Sequence, residues 1–110
     1  MGLPDQLLTM LKELDSSLEF NYNRFYIGLS KDGLPYNFVS LNPKRKFLRL
    51  SVNLPQSDEL DAKIEQAGIE DLEYEKRHGN YRLRLTRDTI QSQTPLLKEL
   101  AHDAYERRSS

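Results

Sequence analysis

Two histidines, seventeen carboxylates and no cysteine are the groups with which this chain could hold a metal or move a proton. No set of His, Asp and Glu has the spacing of a metal site, and without thiols neither a thiolate nucleophile nor a disulfide can form. His78 falls in a turn. His102 falls on the last helix, beside Ala101 and three residues before Tyr105, which predicts a partly covered structural histidine rather than a catalytic base. A magnesium-dependent nuclease wants an acid followed two residues later by a lysine on a strand, with another acid upstream. In Glu73-Tyr74-Glu75-Lys76 the last acid is adjacent to the lysine, so the two would leave a strand on opposite faces. Asp61-Ala62-Lys63 has the spacing but lies on a predicted helix. Gly28 and Gly33 make no phosphate loop, and Ser51 and Ser57 lack a histidine in a triad pattern. The expectation is no catalytic residue, no metal and no cofactor.

Charge is the more informative signal. The formal net charge is only −1, yet residues 33–57 contain Lys44, Arg45, Lys46 and Arg49 with no acid, and residues 76–87 contain Lys76, Arg77, Arg82, Arg84 and Arg87 with none. Between them, residues 58–75 carry eight acids against the single base Lys63. A basic sheet beside an acidic flank is expected.

The elements that must position these charges follow from hydrophobic periodicity. Leu3, Leu7, Leu11, Leu14 and Leu18 recur at helical spacing and predict a first helix ending near Leu18, with Pro4 in its first turn. From Asn21 the period becomes two, with Phe25, Ile27 and Leu29 on one side and Arg24, Tyr26 and Gly28 on the other. Asp32-Gly33 predicts a reversal, then a strand from Tyr36 to Leu41, a turn at Asn42-Pro43-Lys44, and the clearest strand of all, in which Leu48, Leu50, Val52 and Leu54 alternate with Phe47, Arg49, Ser51 and Asn53. These three strands read as an antiparallel meander. Ser57 is the expected N-cap of a helix to Ala67 with Gly68 closing it. Strands are expected from Ile69 to Tyr74 and from Tyr81 to Leu85 around a His78-Gly79-Asn80 turn. Because Pro95 belongs in a first turn, the closing helix should start near Thr94, with Ile90 in a preceding turn.

The order α-β-β-β-α-β-β-α, with each helix carrying one apolar stripe, predicts one α+β domain over residues 1–110, an antiparallel sheet with its helices on one face. A chain of 110 residues and 12.9 kDa can bury one core and not two. With 37% hydrophobic and 30% charged residues, the chain has no apolar run long enough to span a membrane. Met1 to Pro4 lack the basic and apolar regions of a secretory signal, and the absence of cysteine fits a cytoplasmic location.

Tyr26-Ile27-Gly28, Asn37-Phe38-Val39, Pro43-Lys44-Arg45-Lys46, Leu48-Arg49-Leu50, Asn53-Leu54-Pro55 and, further on, Leu83-Arg84-Leu85 and Ala104-Tyr105-Glu106 together resemble a family of uncharacterised C-terminal domains. That family is similar to a small module appended to larger prokaryotic proteins, some labelled predicted transport proteins and some nuclease-like or restriction-type. The resemblance covers about residues 22–107. It implies an accessory module and carries over no ligand residues.

In strand phase, Arg49, Arg82 and Arg84 oppose Leu48, Leu50, Leu83 and Leu85, and so should leave the sheet together on its uncovered face, joined by the aromatics Phe47 and Tyr26. With Lys44, Arg45 and Lys46 they form the candidate binding set. Arginines interleaved with aromatics on an open sheet can hold phosphates and stack unpaired bases. Two other readings stand beside that one. The arginines can serve simply to wet a one-sided sheet, their stems covering apolar surface. Alternatively, the chain meets a protein, either a nucleic-acid-handling or acidic partner on the basic face or a second copy, joined by the acidic helix of one and the basic sheet of the other or by an edge strand across a two-fold axis.

Overall fold

The computed structural model describes residues 3–22, 24 and 26–109. The element order is α1 (Leu3–Leu14), β1 (Leu18–Tyr22), β2 (Ile27–Lys31), β3 (Leu34–Pro35), β4 (Val39–Pro43), β5 (Leu48–Asn53), α2 (Asp58–Gln66), β6 (Glu70–Glu75), β7 (Asn80–Leu85), α3 (Arg87–Ser92) and α4 (Thr94–Ser109). The class is α+β, as expected. All strands join one antiparallel sheet of order β1-β2-β4-β5-β7-β6, with β3 added beside β2. Phe25 and the Leu3 side chain, both assigned to the core by periodicity, lie outside the described residues.

The first helix is shorter than its leucine spacing predicts. It stops at Leu14 because the Asp15 carboxylate accepts hydrogen bonds from the Ser17 backbone N–H (2.9 Å) and hydroxyl (2.6 Å), a local turn that competes with helix continuation. Leu18 therefore opens β1 and is fully buried there, pairing with Lys31. Leu18, Phe20 and Tyr22 alternate along β1 as a strand should, but Leu18 also falls four residues after Leu14, and that coincidence hid the strand. The expected three-strand meander is accordingly five strands. Asp32 and Gly33, with φ of 54° and 80°, turn the chain from β2 into β3. The strand expected from Tyr36 is displaced to Val39–Pro43. The closing segment divides as Pro95 requires: Thr86 caps α3, and α4 begins at Thr94 with its hydroxyl donating to the Ile90 carbonyl at 2.7 Å.

Register fixes two faces. Leu41 pairs with Leu50, Leu50 with Leu83, and Leu48 with Leu85, so these side chains share the face on which the helices pack, and all are buried. Leu7, Leu11, Ile64, Leu97 and Leu100 meet them from α1, α2 and α4. Phe38 is fully buried in the same core, edge-on to Tyr105 of α4. Tyr105 also ties α4 to the start of the sheet: its hydroxyl donates to Asp15 at 2.6 Å and accepts from Lys31 at 3.0 Å, while Lys31 and Asp15 pair at 2.8 Å.

The connection from β5 through α2 places β6 at the sheet edge and brings β7 back between β5 and β6. Tyr81 anchors that crossover. Its hydroxyl accepts from the N–H of Ser57, the N-cap of α2, at 2.8 Å and donates to Asp61 at 2.9 Å. Two central strands that each carry arginine in the outward phase thereby become neighbours.

Candidate functional site

Arg49 pairs with Arg84, and Ser51 with Arg82, in the β5–β7 ladder. Directly paired residues lie on one face, so the three guanidinium groups share the face opposite the leucines. Asn42 pairs with Arg49 and Ser40 with Ser51, which adds β4 to the same surface. Lys44 N–H donates to the Phe47 carbonyl at 2.8 Å, closing the β4–β5 hairpin with Arg45 and Lys46 at its tip. Lys44, Arg45 and Lys46 are all exposed. The strand phase thus brings every candidate residue to one side or one end of the sheet.

The three arginines are held very differently. The Arg84 guanidinium carbon sits 4.4 Å from the centre of the Phe47 ring, and its Nη1 pairs with Glu70 of β6 at 3.1 Å. Arg82 donates its Nε to the Glu73 carbonyl at 2.9 Å. Arg49, in the middle of the sheet, has a buried Nε with no hydrogen-bond partner among the described residues. A buried donor left unpaired costs free energy.

Arg49 and Arg82 line a cleft of about 600 Å³. Every described residue that lines it comes from a strand or a connection, none from a helix, so this face carries no helical roof there. Beside the cleft, β2 and β4 share the Ile27–Leu41 pair and no other among the described residues. Beyond that pair, Asn37 substitutes for a strand: its Oδ1 accepts from the Leu29 N–H at 2.7 Å and occupies the space that a Cβ on Gly28 would need. Asn37 and the half-exposed Tyr26 form one wall. The turn between β6 and β7 forms the other.

In that second wall, Glu75 accepts from the His78 N–H at 2.6 Å, lies 3.0 Å from the His78 Nδ1, and accepts from Asn80 at 3.2 Å. Burial raises the Glu75 carboxyl, but these hydrogen bonds outweigh it and leave the group below its ordinary value. The Asn53 amide donates to the carbonyls of His78 and Gly79, fixing the turn to the sheet.

Sequence reasoning missed this second wall and the asparagines. His78 does sit in a turn, as expected, but it also lines the cleft. Asn42, Asn53 and Asn80 fall in the same strand phase as Arg49, the one signal that could have placed them on the open face. His102 differs from expectation: its side chain is 56% exposed on the outer side of α4, near Asp103 and Glu106, because one step of helical rotation carries it away from buried Ala101. The acidic flank is real but touches the basic sheet, since Glu70 neutralises Arg84.

Among the described residues no group of three or more His, Cys, Asp or Glu side chains could hold a metal ion, and no helix is long and apolar enough to cross a membrane. Compared with family models, curated proteins and solved structures, the chain finds no match.

Proposed function

We propose that this protein is a noncatalytic module that binds single-stranded nucleic acid across the uncovered face of its sheet. The observation that carries the reading is the gathering of Arg49 and Arg82 on one face of the sheet, where both line the cleft. Phosphate oxygens are the natural acceptors for two such guanidinium groups, because charge-assisted hydrogen bonds offset the desolvation of both partners. From the cleft the face continues past the Phe47–Arg84 stack to the Lys44-Arg45-Lys46 hairpin, giving a strand a basic track with an aromatic along it. A duplex fits less well, since bases must be unpaired to reach groups recessed below the rim. Acting as an accessory module in a reducing cytoplasm suits a chain without cysteine.

Fluorescence anisotropy with a labelled single-stranded oligonucleotide tests this directly. Roughly four neutralised phosphates would give log K against log salt a slope of about −3. Binding that is absent at low salt, or that does not weaken as salt rises, would overturn the reading.

A further inference from the structure

We infer that the cleft seats one whole nucleotide unit turned out of the strand, its phosphate on Arg49 and Arg82 and its base against the Tyr26 ring. This rests on the nucleic-acid reading above and specifies what occupies its deepest point. Size is the first argument. A cleft of about 600 Å³ is far larger than a phosphate group and falls in the range that accommodates small organic ligands. Placement of the groups is the second. Cationic side chains lie on β5 and β7, while Tyr26, 36% exposed, lines the cleft from the β2 side of the sheet. A phosphate on the arginines would therefore leave its base directed at an aromatic surface.

Charge limits the ligand further. Glu75 lines the same cleft as a carboxylate, held by His78 and Asn80. Its negative charge in the lining disfavours each further phosphate, while the two arginines are matched by one. The chemistry selected is a nucleoside monophosphate, or one residue of a chain, in preference to a triphosphate.

The test is an NMR titration of the full chain, isotopically labelled, with a nucleoside 5′-monophosphate, with inorganic phosphate and with the unphosphorylated nucleoside. The monophosphate should shift both the Arg49 Nε–H and the Tyr26 signals at concentrations where the other two do not. Tyr26→Ala should weaken the monophosphate at least about fivefold and leave inorganic phosphate unchanged, with Tyr26→Phe close to the parent. Amide spectra report whether each variant is folded, and Tyr26→Phe together with the unmutated chain decides the matter should the alanine variant fail. Equal affinity for phosphate and nucleotide, or shifts confined to the arginines, would overturn the inference while leaving oligonucleotide binding in the anisotropy assay intact. Loss of oligonucleotide binding as well would remove the underlying reading too.

Discussion

Arg49 and Arg84 are direct cross-strand partners on one face of the sheet, and among the described residues only Arg84 is neutralised, by Glu70 at 3.1 Å. Two like charges opposed in a ladder repel, and Arg49 additionally buries an unpaired Nε. Both features oppose folding. Arg49→Met, which keeps the length of the stem and removes the charge, should therefore leave stability unchanged or raise it by up to about 1 kcal/mol. Urea denaturation would measure this as a higher midpoint at unchanged slope. A loss of more than about 1 kcal/mol would mean that Arg49 supports the fold.

Gly28 and Asn37 form a second coupled pair, in which the absence of one side chain makes room for the other. Gly28→Ala should destabilise by about 1–3 kcal/mol, because the new methyl group meets Asn37 Oδ1. Asn37→Ala should cost about 1–2 kcal/mol by leaving the Leu29 N–H unpaired. In the Asn37→Ala background the alanine at 28 should cost much less, so a double-mutant cycle should show clear nonadditivity. Simple addition of the two effects would rule out the contact.

These two pairs mark the limits of what could be read along the chain. The phase of β5 and β7 was legible because Leu48, Leu50 and Val52, and then Leu83 and Leu85, alternate with polar residues and have only one way to face a core. Their adjacency was not, since it depends on the α2 crossover placing β7 between β5 and β6. The start of β1 was masked by Leu18, which satisfies helix and strand spacing at once until the Asp15–Ser17 turn decides. The cleft was illegible for a related reason. It is bordered by Asn37, which gives no local sign that its amide will substitute for a ladder.

Asp15, Lys31 and Tyr105 make the fold pH-dependent at both extremes. Hydrogen bonds from Lys31, then Ser17 and Tyr105, hold the Asp15 carboxyl well below its ordinary value of 3.8, and the bond to Asp15 raises Lys31 above 10.5. A depressed acid contributes stability that is present above its ordinary value and lost as pH falls through the folded one. A raised lysine contributes stability that is present below its ordinary value and lost as pH rises through the folded one. Stability should thus be flat with respect to this pair from about pH 5 to 9. Asp15→Asn should flatten the acid limb of a urea-midpoint profile; parallel acid limbs for the variant and the parent would contradict the assignment.

Tyr81 should dominate a separate alkaline effect. Burial, with the nearby Asp61 carboxylate, lifts its hydroxyl to about 12 against the donation from Ser57. The neutral form is favoured in the folded chain, so this contribution holds below the ordinary value of 10.0 and is lost as pH rises toward 12. Tyr81→Phe should remove that alkaline loss and cost about 1–2 kcal/mol at neutral pH, by uncoupling the α2 cap from β7. Ultraviolet titration of tyrosinate absorbance in the parent and variant would show whether the late-titrating group disappears.

The most direct test compares Arg49→Gln with Arg84→Gln in oligonucleotide anisotropy at fixed low salt. Arg49→Gln should weaken single-strand binding by about tenfold or more, and Arg84→Gln by clearly less, since Glu70 already occupies that guanidinium. Unchanged affinity in Arg49→Gln, with the variant folded, would show that Arg49 at the centre of the sheet is not where the ligand binds.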